Sequence, residues 1–232
     1  MNISNYFENI KEEIIKEIFE KVDNFYEVFN LIHKFIDEET NKQLVTNYFE
    51  DYKKDTKITI TDKCFIGEGT VINPGALIEG PVIIGKNVTI GHNAYIRPYT
   101  YIGDNVCIGH GSEIKNSVIL NNAKVASLSF VGDSILGSEA RIGSGAILSN
   151  RRFDQKEIKQ GDIKTNLCYL GSVIGDEARV GAGCVISPGL LIGQKTWIDS
   201  GITLKKDISS RKLVKNKNMN IEIAEKKDVE IK

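Results

Sequence analysis

The chain lacks several things that would have pointed elsewhere. Its charges almost cancel: 30 Lys and Arg against 31 Asp and Glu leave a formal net charge of −1. That balance gives no reason to expect nucleic acid or an anionic membrane as partner. No apolar run approaches the ~20 residues that cross a bilayer, and the first residues are polar and charged rather than leader-like. The four cysteines, Cys64, Cys107, Cys168 and Cys184, show no Cys-x-x-Cys spacing, so a reduced, cytoplasmic protein is expected. There is no P-loop, no metal-ligand cluster and no Ser/His/Asp arrangement. Gly67-Glu68-Gly69-Thr70 imitates part of a nucleotide-binding glycine loop, but both glycines fall on turn positions of the repeat described next, and no helix follows.

What is present is a period of six. Ile60, Ile66, Ile72, Ile78, Ile84, Ile90, Ile96, Ile102, Ile108, Ile114 and Leu120 fall one every six residues. The phase slips before Leu136, resumes through Ile142 and Leu148, breaks, and runs again from Ile174 through Val180, Ile186, Ile192 and Ile198 to Leu204. A helix repeats near 3.6 and a strand near 2, so neither alone gives six. A parallel β-helix does, with one aliphatic side chain per short strand pointing inward. Two positions before each aliphatic residue sits a small or β-branched one (Cys64, Thr70, Ala76, Val82, Val88, Ala94), suited to a narrow interior. Gly, Pro and Asn/Asp after it supply the corners. Cys64 and Cys184 occupy the small inward slot and read as buried thiols.

Residues 1–55 are different: Phe7, Ile10, Ile14, Ile15, Ile18, Phe19 and Val22, then Phe25, Phe29, Ile32, Phe35 and Ile36, recur at three- and four-residue spacing. One or two amphipathic helices are expected, broken at Asp23-Asn24 with one of these as N-cap. Their expected role is to cover the open first coil, the alternative being to bind a partner. Asp51 to Thr56 reads as a polar linker, residues 56–208 as the coil, residues 150–170 as an excursion from it, and residues 209–232 as a charged tail with a short alternating piece at 219–223. The fold class is therefore mainly β: a parallel β-helix with an α-helical N-terminal cap.

Three six-residue faces close one turn, so residues 18 apart stack. Glu79, Arg97 and Lys115 fall in one column, where two cations above a carboxylate either grip a phosphate or form a solvated ion pair with a neighbouring lysine. His92 and His110 share a second column with Pro74 and read as exposed corner residues.

The segments Ala94-Tyr95-Ile96-Arg97-Pro98, Gly109-His110-Gly111-Ser112-Glu113-Ile114-Lys115-Asn116-Ser117 and Lys124 to Gly137 resemble the left-handed β-helix domain at the carboxyl end of bacterial and archaeal sugar-1-phosphate nucleotidyltransferases. The best-known of these enzymes also acetylates glucosamine-1-phosphate. The resemblance covers roughly residues 57–208, and no nucleotidyltransferase domain is expected within this chain. It implies left-handed coiling against the usual crossover rule, a homotrimer with sites between subunits, acetyl-CoA as co-substrate, and a sugar phosphate or nucleotide sugar as acceptor. It places substrate contacts at Arg97, Lys115 and Asn150, less securely at Lys156, and the coenzyme side of the site at Ala182 and Ser200. It also exposes departures. The family's general-base histidine is Ser127 here; a tyrosine becomes Phe130, an asparagine Arg141 and a serine Ala182. Two functions follow: a coenzyme-A-dependent acyltransferase, or a non-catalytic trimeric module that binds a sugar nucleotide or holds a separate nucleotidyltransferase.

Overall fold

A computed structural model describes residues 5–8, 10–42 and 57–216. The expected linker at Asp51–Thr56 and the alternating piece at 219–223 lie outside the described residues.

The coil is a left-handed parallel β-helix. Two- and three-residue strands stack into three parallel sheets that we call faces A, B and C. Face A runs from Thr59–Ile60 to Thr203–Leu204, face B from Cys64–Ile66 to Leu191–Ile192, and face C from Val71–Ile72 to Leu213–Val214. Register follows the 18-residue turn: Ile60 pairs with Ile78, Ile66 with Ile84 and Ile72 with Ile90. The aliphatic ladder fills the interior, with Ile66, Ile78, Ile84, Ile90, Ile96 and Ile102 fully buried, and the small slot residues line it beside them. Each such side chain contributes ~1.5–3 kcal/mol by burial. Hydroxyls in the slot are satisfied by neighbouring backbone: Thr70 Oγ1 donates to the Gly85 carbonyl at 2.8 Å, and Ser112 Oγ to that of Ala126 at 2.8 Å. Burial pushes the Cys64 thiol up to about 12, so it is an inert filler. Corners turn through left-handed residues, commonly Asn, as at Asn93 (φ 56°) and Asn105 (φ 57°).

Three features differ from the sequence expectation. The inward residue after Ile114 is Ile119, not Leu120: Ile119 pairs with Ile102 below and Leu136 above. Two corners, Lys115-Asn116-Ser117 and Gly132-Asp133-Ser134, are one residue shorter than the six-residue period allows, so Ile114 pairs with Val131 only 17 residues on. Leu120 is buried instead among the residues that meet the N-terminal helices. Next, the coil does not end at 208. Ile208 bridges to Ile192, and Leu213–Val214 pairs with Trp197–Ile198, because the 214 position again offers an aliphatic residue.

The third difference concerns the helices. Helix α1 (Glu13–Glu20) and helix α2 (Val28–Asn41) are present, and Asn24 marks the break, with the Glu27 carboxylate accepting from the Asp23 and Asn24 amides at 3.1 and 3.3 Å. They cap the side of the coil rather than its open end. Ile15, Phe19, Phe25, Val28, Ile32 and Ile36 pack on the outside of face B, against Ile83, Tyr101, Val118, Ile135, Val173 and Leu191. The cause is the outward position of that face. On every strand from Ile83 onward, where solvent would favour a polar residue, face B presents an apolar one. The longest described helix has 14 residues, and no described helix is long and apolar enough to cross a membrane. Between Leu148 and Val173 the chain leaves the coil and returns, carrying an antiparallel hairpin of Ile158–Gln160 and Ile163–Leu167.

Glu12 sits at the start of α1 with both carboxylate oxygens buried, against the corner at Gly103. Burial raises its pKa above the ordinary 4.5, and the Asp104 carboxylate adds to the effect. A carboxyl raised in the folded state holds its proton better there than in the unfolded chain. The contribution of Glu12 to stability is therefore full below pH 4.5 and is lost as pH rises through the folded value. As pH rises from 4.5 to neutral, thermal melts should show the wild type losing stability relative to Glu12→Gln, which melts higher at neutral pH. Identical pH profiles for the two proteins would contradict this.

Candidate functional site

The sequence-derived site residues separate onto two edges of the prism. Arg97, Lys115 and Asn150 lie on the edge between faces A and B. Ser127, Ala182 and Ser200 lie on the edge between faces C and A. Phe130 stands on face A in register with Glu113 and Ile147. Arg141 is exposed on face C, in register with Lys124 and Arg179. Lys156 is exposed on the excursion, its backbone amide donating to Asp154 Oδ1 at 3.2 Å.

On the A–B edge the column of Glu79, Arg97 and Lys115 exists, but its charges pair sideways. Arg97 Nη1 meets Glu113 Oε1 at 2.9 Å, its guanidinium lies 5.6 Å from the Tyr95 ring centroid, and Glu79 accepts from the Tyr95 hydroxyl. The Glu113 bond holds Arg97 charged, while Glu79 and burial raise the Tyr95 phenol. Lys115 Nζ lies 3.2 Å from Asp133 Oδ2. Asp133, 4% exposed, is the hub: Asn116 Nδ2 donates to its Oδ1 at 2.7 Å and Asn150 Nδ2 to its Oδ2 at 2.5 Å. The two short corners create this hub, because a 17-residue turn sets the left-handed Asn116 (φ 46°) over the left-handed Asp133 (φ 48°).

The network reaches the helices. His33 on α2 bonds Asn116 Oδ1 at 2.6 Å and stacks on Tyr99 at 4.3 Å between ring centroids. Since Asn116 donates its amide nitrogen to Asp133, its oxygen accepts, and His33 carries a proton on Nε2. Where the excursion leaves and rejoins the coil, Tyr169 lies between Lys115 Nζ (4.7 Å to the ring centroid) and Arg151 (5.4 Å). Sequence reasoning missed Asp133, Asn116, Tyr169, Arg151 and His33. Only the phase slip near them marked the place.

Successive rungs approach closely at the C–A edge, as they do at the B–C edge. A Cβ on Gly109 would lie 2.5 Å from the Ser127 nitrogen, one on Gly143 2.5 Å from that of Ala182, and one on Gly181 2.5 Å from that of Ser200. His92, His110, Ser127, Ser144, Ala182 and Ser200 thus form one column of corner residues, with His110 Nδ1 tied to the His92 carbonyl at 2.9 Å. Both histidines are exposed. Leu128, 63% exposed at φ 60°, is the one large apolar side chain standing out from this edge near Ser127.

Comparison with known proteins agrees with this architecture. Residues 78–175 match the GMPPB C-terminal domain, and residues 168–206 match the hexapeptide repeat of succinyl-transferase. The bifunctional protein GlmU of Methanococcus maripaludis is 37% identical over 170 residues, covering 72% of this chain and 41% of that protein. The protein titled "Uncharacterized acetyltransferase YaiX" from Escherichia coli O6:K15:H31 is 34% identical over 181 residues, covering 72% of this chain and 79% of that one. The UDP-N-acetylglucosamine acyltransferase of Campylobacter jejuni is 17% identical, with 66% of this chain and 68% of that chain aligned at a TM-score of 0.42. The chain belongs to the hexapeptide-repeat family of acetyltransferase-type β-helix proteins. It spans between 26% and 41% of the length of the GlmU proteins it matches.

Removing the hub carboxylate by Asp133→Ala leaves the Asn116 and Asn150 amides and the Lys115 ammonium without their common acceptor. The expected cost is about 1–3 kcal/mol per buried donor left unsatisfied, read as a lowered denaturation midpoint. Asp133→Asn should recover part of it. A midpoint unchanged in both variants would contradict the hub.

Proposed function

We propose that the protein is a coenzyme-A-dependent acyltransferase that acts on an amino group of a sugar phosphate or nucleotide sugar, with sites completed between subunits of a homotrimer. The observation that carries this reading is the division of labour between the two edges flanking face A. The A–B edge holds polar and cationic groups in fixed positions: Lys115 and Asn150 on Asp133, and Arg97 on Glu113. Beyond the exposed His92 and His110, the C–A edge carries the small corner residues Ser127, Ser144, Ala182 and Ser200, with exposed Leu128 beside Ser127, a track that suits a thin extended arm. Coenzyme A would lie along Gly109, Ser127, Gly143, Ala182, Gly181 and Ser200, presenting a thioester near Ser127. The edges face apart within one chain, so a neighbouring copy packed on face A would bring one edge against the other. Half-buried Leu77, Tyr95, Phe130 and Ile147 on that face fit such packing.

In the reaction a neutral amine attacks the thioester carbonyl carbon. The C–N bond forms, the C–S bond breaks, the thiolate leaves, and the amine's proton passes to solvent or to the leaving sulfur. Ser127 is no base at neutral pH. The rate then rests on positioning, without the ~10²–10⁴-fold that a general base supplies.

A second reading, a non-catalytic module that binds a sugar nucleotide or holds a separate nucleotidyltransferase, draws on one observation: the base position carries a hydroxyl, and the nearest histidine in its column, His110, is tied to backbone. Thiol release from acetyl-CoA with glucosamine-1-phosphate and amino-bearing nucleotide sugars separates the two. Acyltransfer by the wild type, accelerated about 100-fold in Ser127→His, is the expected result. An inert wild type with an active Ser127→His variant would establish the second reading. Absence of acetyl-CoA binding by calorimetry would overturn the first.

A further inference from the structure

Beyond the hub, the excursion roofs a cleft of about 790 Å³. Its floor is apolar, from Val185, Pro188, Leu190 and Ile158, and its rim carries Arg151, Arg152, Lys159 and Lys205 with Asp154 as the sole acid. Arg152 binds Asp154 through two bonds of 2.8 and 2.7 Å, and this bond holds the Asp154 carboxyl well below the usual range. That pairing consumes the acid. Arg151, Lys159 and Lys205 are left without an ion pair among the described residues. Phe153, fully exposed, stands at the mouth.

The cleft is separate from the Lys115 corner yet connected to it. Lys205 occupies the same column as Lys115 but four coil steps along, through Gly132, Ser149 and Ser187, or roughly 19 Å at the ~4.8 Å strand spacing. Arg151 bridges the gap, since it lies against the same Tyr169 ring as Lys115. The two cations that the sequence nominates for phosphate, Arg97 and Lys115, are already neutralised by carboxylates. Arg151, Lys159 and Lys205, which carry no such pair among the described residues, line the cleft.

We infer that this cleft binds a nucleoside diphosphate, with Arg151 and Lys205 on the phosphates and the base against Phe153 and the apolar floor. The volume lies within the range of small-ligand sites, and guanidinium and ammonium groups suit phosphate oxygens. The inference rests on the acyltransferase reading for its consequence: the acceptor is then a nucleotide sugar rather than a free sugar phosphate, with its diphosphate at Arg151 and its sugar toward Lys115 and Asn150.

Calorimetry with UDP, GDP, inorganic phosphate and acetyl-CoA on the whole chain tests this. At least one nucleoside diphosphate should bind, Arg151→Gln and Lys205→Gln should each weaken it tenfold or more, and Lys124→Gln on the exposed side of face C should leave it within twofold. No binding of either nucleoside diphosphate overturns the inference, as does binding that the two cleft variants leave unchanged. Phosphate binding as tightly as the nucleotides would reduce the cleft to a bare anion site, and displacement of bound UDP by coenzyme A would assign it to the coenzyme; either result also overturns it. Acetyl-CoA binding without nucleoside diphosphate binding leaves the acyltransferase reading standing, whereas failure of both removes both. All three substituted residues are at or near the surface, and an unchanged melting temperature checks that each variant is folded.

Discussion

Every position in this molecule depends on the backbone ladder that joins one turn to the next. Parallel strands separated by ~4.8 Å cannot slip by one residue without turning an inward isoleucine outward. Once Ile60 is set on Ile78, each side chain on a face or corner is aligned with its counterpart one turn away. Chemistry is therefore arranged in columns, and residues far apart in the chain become neighbours by arithmetic. Asp133 and Asn150 meet this way, and Ser127, Ser144, Ala182 and Ser200 line up rung by rung along the opposite edge.

The three faces have been put to different uses. Face B is outwardly apolar and buried under the helices. Face A lies between the two candidate half-sites. Face C carries Lys124, Arg141 and Arg179 outward, with the Arg179 guanidinium 5.5 Å from the Trp197 ring. The A–B edge is where regularity breaks: both short corners and the root of the excursion fall there. A uniform coil repeats the same environment at every turn. Dropping a residue from two successive corners and inserting a loop makes one place unlike the others, and the buried Asp133 hub occupies it.

Much of this was legible in the sequence. The six-residue ladder carried the fold, the small slot residues and the buried Cys64 and Cys184. The column of Arg97 and Lys115 followed from counting eighteens. Counting failed where Ile119 and Leu120 stand side by side, because either satisfies an aliphatic pattern and only the backbone register chooses between them. The Asp133 hub was hidden for the same reason, since it exists only when the turn is 17 residues long. Arg97 found Glu113 rather than Glu79 because long side chains reach across to the adjacent strand position as easily as along the column. The seat of the helices was written at 18-residue spacing in Phe65, Ile83 and Tyr101. It becomes visible when outward positions are read down a face and not only inward ones.

The helices lying along face B have a consequence for how the molecule comes apart. A bare solenoid is held together by contacts between adjacent turns, so its ends can fray one rung at a time. Here α1, α2 and the segment around Phe7 touch rungs from Ile83 to Leu191 at once. They act as a splint along the stack. Loss of one rung strains the splint over all the others, and a structure built of nearly identical slices is expected to melt as one unit.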